Sequence, residues 1–173
     1  MTSIPLNRQR SALGPSRVIA LVGLGCLALI AGAWFFEIVV GLRPCKLCLE
    51  QRLPHYAAMG LAAAGLVLAR SSRLQWLVLL GLAGLMVWST GLGVYHAGVE
   101  WGWFAGPNDC GGAAAPAAAG VQDFMKQLQT TRVVACTEAA WRWLGLSLAG
   151  WNAITSLGLL GLALLGLRGT TRG

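Results

Sequence analysis

The stretch GLRPCKLCLEQR, Gly41 to Arg52, decides how the rest of the chain is read. Cys45 and Cys48 are three residues apart, so one helical turn or a tight loop holds both sulfurs within disulfide reach, and such a pair stores two electrons. In a soluble cytosolic chain this spacing points to a thioredoxin-type motif or half of a zinc site. Here both flanks are long apolar runs, which places the dithiol at the edge of a membrane.

Of the 173 residues, 56% are hydrophobic and 11% charged, against about 25% charged in soluble domains. Runs of about 20 apolar residues cross the ~30 Å hydrocarbon core as helices, and four are present, giving expected spans at 18–36, 49–69, 74–98 and 144–167. The expected fold is an all-α membrane protein, a four-transmembrane-helix antiparallel bundle forming one domain over 1–173. A long external loop, about 100–142, joins helices three and four. A cleaved leader is the other reading of the first run, where Ala31-Gly32-Ala33 resembles a cleavage site. The run continues through Trp34, Phe35 and Phe36, beyond the length of an apolar leader core, which favours a retained span.

The formal charge of +7 does not form a soluble basic face, so nucleic acid is not the expected partner. Arg8, Arg10 and Arg17 precede the first run, Arg70 and Arg73 sit in the turn between the second and third, and Arg168 and Arg172 follow the fourth. Short loops rich in Lys and Arg stay cytoplasmic, so both termini, including a polar tail at 1–16, are assigned to that side. The six acids, Glu37, Glu50, Glu100, Asp109, Asp123 and Glu138, fall on the other.

Within the external loop a Gly/Ala/Pro-rich tract precedes Val121, Phe124, Met125 and Leu128. These recur at i, i+3, i+4, i+7 and predict a short amphipathic helix, on the membrane surface or packed on the bundle.

Four of the five cysteines, Cys45, Cys48, Cys110 and Cys136, fall on the external side, where an oxidising compartment favours disulfides. Cys26, mid-span, reads as a small core hydrophobe. A bridge between Cys45 and Cys48 closes so small a loop that it removes little unfolded-state entropy and is a poor staple. Arg43, Lys46, Arg52 and a helix N-terminus instead favour thiolate there, so spacing and topology favour a redox relay. A four-cysteine site for a soft metal such as zinc or Cu(I), in a non-catalytic membrane binding protein, is the alternative. The long separation of Cys110 from Cys136 does not suit it.

The motif Pro44-Cys45-Lys46-Leu47-Cys48-Leu49-Glu50-Gln51-Arg52, the run YHAGVEWGW from Tyr95, the pair Cys110 and Cys136, and AWRWLGLSLAGWN from Ala140 together resemble the disulfide bond formation protein B (DsbB) family over nearly the whole chain. The resemblance implies a quinone-dependent thiol oxidase of the bacterial inner membrane, monomeric, using ubiquinone or menaquinone to reoxidise a periplasmic DsbA-like partner. It implies four catalytic cysteines: Cys110 attacked by the partner's thiolate, Cys136 paired with Cys110, Cys45 exchanging with that pair, and Cys48 facing the quinone. It further implies Arg52 and His96 as quinone-binding residues beside Cys48. The vitamin K epoxide reductase type, with the same span number, places its Cys-x-x-C near the last span, so the order here argues against it. His55, seven residues after Cys48, lies on a similar helix face, and Trp141, Trp143 and Trp151 read as interfacial anchors.

Overall fold

The computed structural model describes residues 14–107, 120–122 and 136–170. Helix α1 (Pro15–Ile38) begins on a proline, whose fixed φ suits the first helical position. The short helix α2 (Lys46–Glu50) is capped by Cys45, and α3 (Arg52–Leu68) follows after Gln51. Pro54 has no N–H to give the carbonyl of Glu50, which is why the helix is interrupted at this point although Gln51 keeps helical φ and ψ. The hydroxyl of Ser71 caps α4 (Ser72–Glu100) by accepting the Leu74 N–H at 3.3 Å. At its far end Gly102, with φ of 73°, lets the Trp103 N–H fold back onto the carbonyl of Gly98 at 2.8 Å.

The chain then forms a two-residue-loop hairpin of β1 (Arg142–Trp143) and β2 (Leu146–Ser147), antiparallel with Arg142 opposite Ser147. Leu144 and Gly145 both have positive φ, 51° and 81°, as a primed hairpin turn requires. Helix α5 (Leu148–Thr170) returns along the bundle.

The long helices alternate in direction. Gly93 and Ser89 of α4 face Ala153 and Ser156 of α5, while Leu79 of α4 meets Gly166 near the other end. Gly23 and Gly25 of α1 approach Ala62 of α3 and Leu159 of α5, and Gly65 of α3 approaches Val78 of α4. Small residues at these crossings let backbones close in, the usual device where lipid gives no hydrophobic drive for helix association. A core of Val18, Ile19, Val22, Cys26, Ala58, Ala62, Leu79, Leu82, Met86 and Ala163 runs through the middle. Leu24, Leu27, Val67, Leu68, Leu77, Leu80, Leu157 and Leu165 point outward. Helices apolar both inside and outside are at home in a bilayer.

Among the described residues three helices, α1, α4 and α5, are long and apolar enough to cross a membrane. The chain is thus a mainly helical protein with three candidate spans. Helix α3, at 17 residues, rises ~26 Å and falls just short of the hydrocarbon thickness on its own. The expected boundaries shift: α1 and α4 each run two or more residues further at both ends, the second run is divided at Gln51, and the fourth helix begins at Leu148 rather than 144. The last change is a correction with a physical cause. The expected start counts Leu144 and Leu146 into the apolar run, but Gly145 favours the turn and the strand pair satisfies the backbone locally. Cys110, and Phe124, Met125 and Leu128 of the expected amphipathic helix, lie outside the described residues.

Candidate active site

At the end of the bundle where α1 and α4 stop and α3 and α5 start, the segment around α2 closes over a cleft of about 250 Å³. Cys45 and Cys48 stand at its inner wall, with their sulfurs 2.8 Å apart and unbonded. Cys45 is 3% exposed, whereas Cys48 is half-buried and opens into the cleft. The Cys48 N–H points at Cys45 Sγ (3.3 Å), because Cys45 is the N-cap of α2.

The two thiols differ in acidity, and their contact sets the difference. Cys45 gives its S–H to Cys48 and is buried, which pushes its pKa up to about 12. Receiving that hydrogen bond stabilises the anion of Cys48 and lowers its pKa, against an opposing contribution from burial. Cys136, whose thiol burial pushes up, packs on Cys45, Leu47 and Val99. Three sulfurs therefore meet, with Cys45 between the loop cysteine and the cleft cysteine.

A thiol reacts as its anion, so iodoacetamide is expected to label Cys48 before Cys45 in the reduced protein. Labelling of Cys48 should slow as pH falls through its lowered pKa, while Cys45 stays inert into strongly alkaline solution. Peptide mass spectrometry across pH checks this, and equal labelling of the two would contradict it.

A chain of buried polar groups holds the dithiol from behind. Asn152 Nδ2 donates to Gln51 Oε1 at 2.8 Å, and Gln51 Nε2 donates to His96 Nδ1. With Nδ1 accepting, a neutral His96 carries its proton on Nε2, which lies 3.6 Å from Cys45 Sγ and 3.8 Å from Glu100 Oε1. Below it His55 Nδ1 donates to the carbonyl of Gln51 (2.9 Å), Ser156 faces His55 Nε2 (3.4 Å), and Ser89 faces Ser156 (2.9 Å). His55 is thus a buried brace for Gln51 and does not line the cleft.

Arg52 lines the cleft beside Cys48, but its guanidinium is already committed: Nη1 donates to Glu37 Oε2 at 2.7 Å and the group lies 5.6 Å from the Trp34 ring centre. The pair ties α3 to α1 at the mouth and offsets most of the charge that the sequence assigns to this arginine. Apolar walls come from Leu29, Ile30, Ala33 and Phe36 of α1 and from Leu148 and Trp151 of α5. Trp151, read as an anchor from the sequence, is a wall of the site, and Trp143 packs against it with ring centres 5.3 Å apart.

The cleft brings together Cys45, Cys48, Arg52 and His96 of the expected site residues, with Cys136 against Cys45. Sequence reasoning missed Gln51, Glu100 and Asn152. Gln51 and Glu100 had a signal, polar groups one turn from motif residues, whereas nothing in the sequence linked Asn152 to Gln51 across 101 positions.

Cys45, Cys48 and His96 have donor atoms within 4.8 Å of one another. Two sulfurs on one tetrahedral zinc stand ~3.7 Å apart, from the ~2.3 Å metal–sulfur bond. The 2.8 Å contact here suits a dithiol ready to close better than a metal cage.

Fold and site together define a class: a helical membrane protein carrying a buried, asymmetric dithiol at the head of a cleft with apolar walls and a polar end. The chain belongs to the disulfide bond formation protein DsbB family, whose model matches residues 15–166. Disulfide bond formation protein B of Verminephrobacter eiseniae is 36% identical over 90% of this chain and 89% of that protein. The protein of the same name from Polaromonas sp. is 32% identical over 87% of this chain and 90% of its own length, and that of Dechloromonas aromatica is 32% identical over 84% and 88%.

Proposed function

We propose that this protein is a quinone-reducing thiol oxidase that reoxidises a DsbA-like partner in the periplasm. In this reading 1–173 is one domain of the inner membrane, α3 is the fourth span together with α2, both termini are cytoplasmic, and the dithiol end faces the periplasm. The observation that carries it is the asymmetry of the dithiol: the more acidic sulfur, Cys48, opens into the cleft, and the less acidic one, Cys45, faces Cys136.

That order gives electrons one direction. A partner thiolate attacks Cys110 of a Cys110–Cys136 disulfide and frees Cys136. The Cys136 thiolate attacks Cys45, forming a Cys136–Cys45 bond and releasing Cys48 as the thiolate. The partner's second thiol then displaces Cys110, whose thiolate restores the Cys110–Cys136 bond and frees Cys45. Two electrons then reside on Cys45 and Cys48. The cleft suits a quinone head group in kind, since flat apolar walls flank it and Arg52, His96 and Asn152 present donors at the end where Cys48 stands. When bound, a quinone supplies an acceptor for two electrons and two protons. The chain's part is to keep Cys48 ionised, to fix His96 through Gln51 and Asn152, and to exclude water with Phe36 and Trp151.

The test is direct. Purified protein in detergent, given reduced DsbA-like protein and either ubiquinone or menaquinone, is expected to oxidise the partner only when quinone is present. Oxidation independent of quinone, or none with either quinone, would overturn the proposal.

A further inference from the structure

Glu100 is the last residue of α4, and its side chain is only 4% exposed. It lines the cleft with Cys48 and Arg52. One carboxyl oxygen faces His96 Nε2 at 3.8 Å, and the other, Oε2, has no hydrogen-bond partner among the described residues. Leaving a buried carboxylate oxygen without a donor is costly unless the group is protonated or its partner comes from outside. Arg52 does not meet this need, since its short bond is to Glu37.

Glu100 and Cys48 line the same cleft, so a carboxylate and a thiolate there repel each other. Two acids in this relation hold one proton between them more readily than none.

We infer that Glu100 is the proton store of the site: of the two protons that arrive with the partner's two electrons it holds the one that Cys48, released as a thiolate, does not take, and it gives that proton to the acceptor when Cys48 gives up its electrons. The inference rests on the quinone reading above. The balance closes over this chain, the thiol partner and quinone. The Cys45 thiol and Cys48 thiolate form a disulfide, losing two electrons and one proton; the Glu100 carboxyl loses the second proton; quinone gains two electrons and two protons to become quinol. When the next exchange reduces the pair, the partner's two thiols supply two protons, one to Cys45 and one to the Glu100 carboxylate, and the state is restored. Without such a store each turnover waits for a proton from outside a largely closed cleft.

Other charged groups near this pair leave that role open to Glu100. His96 Nε2 is already placed between Cys45 Sγ and Glu100 Oε1. Arg52 and Glu37 offset each other, and Cys45 and Cys136 keep their protons near neutral pH. Arg43 and Glu138 are on the exposed rim.

The substitution Glu100→Gln keeps the shape and removes the charge. Two readouts follow. Reduction of the quinone-free protein by dithiothreitol in weakly buffered solution near neutral pH should release about one more proton per protein in Glu100→Gln than in wild type, because the variant has no carboxylate to take it. Quinone reduction should fall by roughly 10²-fold, the size of a lost acid–base group, with partial recovery in Glu100→Asp. A merely structural glutamate would leave the proton count unchanged. Equal proton release by folded Glu100→Gln and wild type, or quinone reduction at the wild-type rate, would overturn the inference. A wild-type protein that leaves quinone unreduced would instead overturn the preceding proposal, and the proton count tests the store without it.

Discussion

Cys48→Ser is expected to reduce quinone-dependent oxidation of a reduced partner by at least ~10³-fold, the scale seen when a reacting nucleophile is removed. Serine has nearly the same volume and leaves the fold alone, but its hydroxyl neither ionises near neutral pH nor forms a disulfide with Cys45. With no Cys45–Cys48 disulfide to attack, Cys136 has nowhere to pass its electrons, so Cys48→Ser protein mixed with reduced partner should accumulate mixed disulfides that non-reducing gels reveal. Cys26→Ala is the control, because Cys26 is fully buried in the bundle core, away from the cleft, and turnover should be unchanged. Normal turnover by the Cys48 variant would sink the assignment of this sulfur.

The largest expected loss of stability is at Gly93. A Cβ built there lies 2.9 Å from the backbone nitrogen of Ala153 and 3.0 Å from its Cα, and a backbone cannot step aside as a flexible side chain can. Gly93→Ala is expected to cost about 1–3 kcal/mol, the usual scale of overpacking, and Gly93→Val should exceed it. The effect should reach the chemistry as well. Gly93 lies three residues before His96 on α4, and Ala153 follows Asn152 on α5, so prising the helices apart pulls His96 and Asn152 away from the Gln51 bridge between them. Thermal unfolding in detergent should show a lowered midpoint in both variants. Gly84, which has nothing within 4 Å of a built Cβ, is the comparison site, where Gly84→Ala should be tolerated. Equal midpoints for Gly93→Ala and Gly84→Ala would show that the close crossing does not govern the bundle.

Much of the architecture was legible because it follows from composition. Long apolar runs can only be helices where no water is at hand to satisfy the backbone, and arginines in the short turns mark one end of the bundle. The hairpin was not legible: Leu144 and Leu146 count into the apolar run until Gly145 turns the chain. The separate start of α3 depends on a single missing N–H, that of Pro54, which the sequence contains but hydropathy does not register.

In the site, the family resemblance named Cys45, Cys48, Arg52 and His96, and these residues do line one cleft. What each faces was another matter. Arg52 reads as a free cation near a thiolate, yet Glu37, fifteen residues earlier on another helix, takes its short hydrogen bond. His55 reads as a second histidine on the cysteine face, yet it turns inward to Ser156.

By itself the sequence determined that the chain is a helical membrane protein with a two-electron dithiol at one end, because hydropathy, charge in short loops and cysteine spacing are local properties. Only the tertiary structure decided which sulfur is the more acidic, which nitrogen of His96 faces Cys45, and that Glu100 Oε2 is buried with no hydrogen-bond partner among the described residues. Those depend on groups brought together from α1, α3, α4 and α5, and hydrogen bonding and desolvation act over a few ångströms in space whatever the distance along the chain.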